Sequence, residues 1–210
     1  MHKKNILRAG TELSKAEKAL VMVHGRGANA EDILTLSQHL DVDGFALLAP
    51  DATNNTWYPY SFMAPVIQNE PWLSSALAVL KEVEEEIVKA GISHEKIYFL
   101  GFSQGACLTL EYISRNAKKY GGAIAFTGGL IGEEINRDNY KGDFSETRIF
   151  IGTSDPDPHV PIWRVQETTE ILKELNASVK VKIYPNMGHT ISGDEINEAN
   201  TILKGKVDSH

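Results

Sequence analysis

Short, almost uniformly apolar runs alternate along this chain with longer segments in which apolar residues return every three or four positions. The runs at residues 19–24 and 45–49 have the length and content of strands buried on both faces, and those at 96–100, 122–126, 148–151 and 179–184 supply four further strands. Between them, helical periodicity predicts helices after Asn29, over residues 71–90, and over 105–115, 166–175 and 194–203. Asn29 is a suitable N-cap, with Asp32 in the capping-box position. In the second helix Leu73, Leu77, Leu80, Val83, Ile87 and Ala90 form the inner stripe, and Glu82, Glu84, Glu85 and Glu86 the wet side. Residues 51–69 show no clear period and form a long, polar and aromatic connection of the kind that tends to carry function. Strand–helix alternation of this sort predicts a mostly parallel sheet with helices on both faces, and ligands then bind beyond the carboxyl ends of the strands.

Composition narrows the function classes. The 210 residues suit a single domain spanning 1–210, with no repeat or linker to divide it. A formal charge of −7, from 21 basic and 28 acidic side chains, argues against nucleic acid as a partner. Lys118-Lys119 reads as a solvated helix end. No apolar run approaches the roughly 18–20 residues of a membrane span, so no integral membrane segment is expected. The basic N-terminus lacks the apolar core of a secretory signal, and the one cysteine, Cys107, cannot form an internal disulfide; a cytoplasmic protein is expected.

The informative residues follow the strands. After Leu100 comes Gly101-Phe102-Ser103-Gln104-Gly105, a G-x-S-x-G pattern between a strand and a helix. A serine on so tight a turn exposes its hydroxyl at the sheet edge, and its flanking positions must be small. The helix behind it directs amides and a positive dipole end at the site. A serine needs a base, and His189, in the loop after the last strand beside Gly188, is the candidate. His2 and His210 are terminal, His39 lies in a helix and His94 precedes a strand. The acid that orients the histidine should follow the strand ending near Ile151, where Asp155 and Asp157 both stand in a proline-rich loop; spacing does not choose between them. The oxyanion hole needs two backbone donors, which point to the amides of Gln104 and of Arg26 in His24-Gly25-Arg26-Gly27. That loop lacks the G-x-G-x-x-G and P-loop patterns, so a phosphate cradle is the weaker reading. Trp57, Tyr58, Phe62 and Met63 are the candidate substrate-binding wall. Nothing has metal-ligand or dinucleotide spacing, so neither a metal nor an organic cofactor is expected.

Taken in order, His24-Gly25-Arg26-Gly27, Gly101-Phe102-Ser103-Gln104-Gly105, Asp157-Pro158-His159-Val160-Pro161 and Gly188-His189 resemble the carboxylesterase/phospholipase family that includes acyl-protein thioesterases. The resemblance implies an α/β-hydrolase fold with a minimal lid and a serine hydrolase cutting carboxylic esters or thioesters through a Ser103-His189-Asp triad. It favours Asp157 over Asp155, because the family's acid sits in a D-P-x-V-P stretch, although the spacing from the preceding strand is two residues longer than usual. The expected partner is a small-molecule ester or thioester, with a homodimer as the only macromolecular assembly in view. Two other readings remain: a catalytically silent hydrolase fold kept for binding, and a lysophospholipase-type lipid esterase. Cys107, four residues into the helix after Ser103, reads as buried packing.

Overall fold

The computed structural model describes residues 1–205; His210 lies outside them. In chain order the elements are β1 (Ile6–Gly10), β2 (Lys18–Val23), α1 (Ala30–Leu34), β3 (Phe45–Pro50), α2 (Val66–Asn69), α3 (Trp72–Lys89), β4 (Ile97–Phe102), α4 (Gln104–Arg115), β5 (Gly122–Phe126), β6 (Arg148–Asp155), α5 (Ile162–Glu174), β7 (Ser178–Pro185) and α6 (Gly193–Leu203). The strands form one seven-stranded sheet in the order β1-β3-β2-β4-β5-β6-β7, parallel throughout except for β1, which runs antiparallel to β3. The mostly parallel sheet is the one expected from the alternation of elements, and the arrangement is the α/β-hydrolase fold that the family resemblance implies.

Alternation of side chains along each central strand feeds two separate cores. Ala19, Val21 and Val23 of β2 join Phe99, Leu80, Val83, Leu108 and Ile171 on one face, under α3, α4 and α5. Leu20 and Met22 join Leu100, Phe45, Ile33, Ala199 and Leu203 on the other, under α1 and α6. Each large aliphatic or aromatic side chain so enclosed contributes about 1.5–3 kcal/mol relative to exposure. Both faces being covered, the central strands β2 to β5 carry no polar alternation, which is why they read as continuous apolar runs.

The cap expected at the start of α1 is present. Asn29 and Asp32 cap α1 reciprocally, at 2.9 and 3.0 Å. Ser192 and Glu195 form a second capping box at α6.

Three readings from the sequence need correction. β1 was unforeseen; only Ile6 in it is even partly enclosed. The buried stripe of α3 includes Ala76 and Val79 and leaves Ala90 exposed. Glu84 is enclosed, not wet: it accepts from the hydroxyls of Tyr112 (2.5 Å) and Tyr120 (3.1 Å) and from Lys118 (2.9 Å), so Lys118 is not a freely solvated end either. At the outer edge, β7 carries Lys180 and Lys182, which pair with Glu198 on α6 at 2.8 and 2.6 Å.

The chain leaves β2 for β3 on one side and returns to β4 on the other. This switch point sets the ends of β2 and β4 side by side, with Val23 in register with Gly101. A cleft opens at such a point.

Candidate active site

Ser103 joins β4 to α4 with φ 54° and ψ −119°, a conformation that side-chain-bearing residues rarely adopt. Such strain costs about 1–3 kcal/mol and persists only where the surroundings enforce it. Here they do. A Cβ on Gly105 would lie 2.1 Å from the Val23 carbonyl oxygen, and one on Gly101 would lie 2.3 Å from that of Gly105. The Ser103 amide donates to the Phe126 carbonyl at 2.9 Å, which locks the turn onto β5.

Three distant stretches of chain converge on this serine. Ser103 Oγ lies 2.7 Å from His189 Nε2, and His189 Nδ1 lies 2.8 Å from Asp157 Oδ2. The second Asp157 oxygen accepts from the amides of His159 (2.8 Å) and Val160 (2.9 Å). The Asp157 side chain is fully enclosed. Burial would push its carboxyl up, but the bonds from His189 and the two amides outweigh burial and hold it below the ordinary aspartate value. Asp155 is exposed at the last position of β6, and its backbone carbonyl accepts from Asn186 at 3.0 Å. Beside that bond, the Gly188 amide donates to Ser154 Oγ at 3.0 Å, so the loop bearing His189 is pinned to the end of β6 twice.

The two candidate oxyanion donors are close at hand. Gln104 opens α4, where the first four amides have no intrahelical acceptor. Gly25 packs its backbone on the serine, with a Cβ there 3.5 Å from Ser103 Cβ, and no hydrogen bond among the described residues engages the Arg26 amide.

The side chains of these two residues have work that their backbones did not suggest. Gln104 Oε1 accepts from the Trp57 amide at 2.9 Å, and its Nε2 donates to the Tyr58 carbonyl at 2.8 Å. Arg26 donates to the carbonyls of Pro59, Tyr58 and Tyr60 at 3.0, 2.9 and 2.8 Å. Both fasten the aromatic connection over the serine. His24 supports it from below: the Ala52 amide donates to its Nε2 at 3.1 Å, so its Nδ1 carries the hydrogen given to the Gly25 carbonyl at 2.7 Å. Burial lowers the pKa of His24. His2, read as a terminal residue, in fact bonds to the Trp57 carbonyl and the Thr53 amide.

A cavity of about 520 Å³ opens beside Ser103, bounded by Tyr58, Phe62, Val160, His159 and Cys107 among others. Of the four candidate wall residues, Tyr58 and Phe62 line it and Trp57 and Met63 do not. Trp57 is drawn inward because its indole N–H donates to the His24 carbonyl at 2.9 Å, leaving the ring fully buried. Met63 packs against the edge of the core. Tyr58 is also almost wholly enclosed; its hydroxyl abuts the Cys107 thiol without a regular hydrogen bond. Burial pushes that thiol up to about 12, which leaves it protonated and unreactive. Nothing in the sequence marked Cys107, Pro158, His159 and Val160 as pocket residues; the D-P-x-V-P turn that supplies Asp157 carries the last three into the wall.

A family model described as phospholipase/carboxylesterase matches residues 8–206. The chain belongs to that family. It is therefore a carboxylic ester hydrolase by class, with relatives of both ester and thioester name. Acyl-protein thioesterase 1 of Saccharomyces cerevisiae is 27% identical over 98% of this chain and 100% of its own length. Carboxylesterase SOBER1 of Arabidopsis thaliana is 23% identical over 91% of this chain and 92% of its own. A solved phospholipase/carboxylesterase from Dyadobacter fermentans is 60% identical, covers 96% of this chain and 97% of its own, and superposes with a TM-score of 0.95. No helix among the described residues of this chain is long and apolar enough to cross a membrane.

Proposed function

We propose that residues 1–210 act as one α/β-hydrolase domain that cleaves carboxylic esters or thioesters through an acyl-enzyme on Ser103. The observation that carries this reading is the unbroken chain of contacts from Ser103 Oγ through His189 to Asp157, at 2.7 and 2.8 Å, on a strained turn. His189 takes the serine proton as Oγ attacks the acyl carbon. Asp157 fixes the imidazole tautomer and stabilises the imidazolium that forms. The amides of Gln104 and Arg26 receive the oxyanion, each worth about 3 kcal/mol in the transition state. His189 then gives its proton to the departing alcohol or thiol, and water, activated by the same imidazole, releases the acid. The thioester is included because the leaving sulfur asks nothing of this machinery beyond that one proton.

The reading is tested by labelling with a fluorophosphonate and by hydrolysis of short-chain esters and thioesters. Wild type should label at Ser103 and turn over, and Ser103→Ala should lose both, with kcat down about 10⁴-fold or more. Equal turnover by Ser103→Ala, or wild-type protein that neither labels nor hydrolyses, overturns it.

A further inference from the structure

Resting on the ester-hydrolase reading, we infer that the preferred substrate carries a carboxylate in addition to the bond that is cut, and that Arg26 and His159 receive it. The chain as a whole is acidic, with a charge of −7, yet among the described residues no aspartate or glutamate bounds the cavity beside Ser103. Two carboxylates lie behind its wall and both are sealed and engaged: Asp157 by His189 and two amides, and Glu111, which acts on Tyr58 and Cys107 from behind, by Arg115, the Ile131 amide and the Tyr140 hydroxyl. Two residues with donor side chains, Arg26 and His159, are among those that line it. Arg26 makes its three bonds to neutral carbonyls, so its charge has no anionic partner among the described residues. Three bonds also leave two of the guanidinium's five N–H groups uncommitted.

His159 stands edge-to-face against His189, ring centroids 5.0 Å apart, and its imidazole makes no hydrogen bond among the described residues. The backbone amide of His159 is held by Asp157, which fixes the ring's root on the rigid turn that also orients His189. A guanidinium anchored through backbone carbonyls is preorganised, so little side-chain freedom is lost when an anion arrives. A carboxylate a few bonds from the scissile carbonyl therefore meets charge-assisted donors that a purely alkyl chain leaves idle. Selection of this kind acts on substrate choice; the bond-breaking steps are those given above.

The test compares esters that differ only in that charge. Monomethyl adipate and methyl hexanoate place the charge, or none, on the acyl side. The acetate ester of 4-hydroxybutyrate and butyl acetate do so on the alcohol side. Initial rates are followed by pH-stat on wild type, Arg26→Gln, Arg26→Lys and His159→Gln. For at least one pair, the anionic ester should have the higher kcat/KM by about tenfold to a hundredfold, the worth of charged hydrogen bonds. Which pair responds tells which side of the ester carries the charge.

That preference should shrink as salt rises from about 0.05 to 0.5 M. It should fall in His159→Gln, collapse toward unity in Arg26→Gln, and be partly restored in Arg26→Lys. Ratios within one variant are compared because Arg26 also holds the loop at residues 58–60. Neutral esters cut as well as or better than anionic ones in both pairs overturn the inference while leaving the hydrolase intact. So does a preference that survives Arg26→Gln undiminished. Loss of all hydrolysis together with loss of Ser103 labelling would instead defeat the hydrolase reading beneath it.

Discussion

Ser103 is held in its left-handed conformation by two glycines whose missing Cβ atoms would each collide with backbone. Backbone cannot move aside as a flexible side chain can, so Gly105→Ala should destabilise the protein by about 2 kcal/mol or more. A urea midpoint close to wild type with ester turnover retained would show that β2 and α4 can separate after all. The aspartates make a second prediction at this scale. Asp157→Asn should lower kcat by about 10⁴-fold, because an amide cannot fix the tautomer that His189 needs. Asp155→Asn, exposed and bonded only through its backbone, should stay within about threefold of wild type, inside the small range expected of surface substitutions. The reverse order of defects in steady-state assays would transfer the role to Asp155. The positions that meet in space are those marked by the ends of strands in the sequence. The side-chain work of Arg26 and Gln104 was not legible there, because it reaches carbonyls and amides 32–47 residues away, a separation that leaves no local pattern.

Elements enclosed on both sides were plain in the sequence, since an apolar run of strand length has few other uses. β1 was hidden for the opposite reason: an edge strand with four exposed residues need not be apolar, and it is held by its ladder to β3 and by the Arg8–Glu86 ion pair at 2.6 Å. Glu84 was misread because its partners come from α4 and the turn beyond it, which periodicity along α3 cannot see. The aromatic connection over the site also depends on distant support, and this gives it a pH dependence. His24 is neutral in the fold, accepting from Ala52, with its pKa below the ordinary histidine value because of burial. The unfolded chain therefore takes up the proton first as pH falls. Its contribution to stability is intact above about pH 6.5 and is lost progressively below it. Wild type should lose more of its urea midpoint between pH 7.5 and 5 than His24→Gln does; parallel curves would show that protonation of His24 is not resisted by the fold.

Over the whole molecule, function and stability occupy opposite ends of the sheet. The loops proposed to carry the reaction follow the carboxyl ends of β2, β4, β6 and β7, whereas Glu84 gathers Tyr112, Lys118, Tyr120 and His94 near the start of β4 and β5. Glu84→Gln should accordingly cost about 1–3 kcal/mol in denaturant unfolding, the price of weakened buried bonds to a charge, with kcat/KM unchanged. A stable variant with impaired turnover would mean that the two ends communicate.

The lysines of β7 bear on a different matter. An outermost strand offers a free row of peptide groups on which another molecule's strand could align, the first step of fibrous aggregation. Any such visitor would have to dehydrate two ammonium groups already engaged by α6. Lys180 and Lys182 thus act as a terminus to sheet growth. The double exchange to valine should make the protein scatter light on storage at concentrations where the parent stays clear.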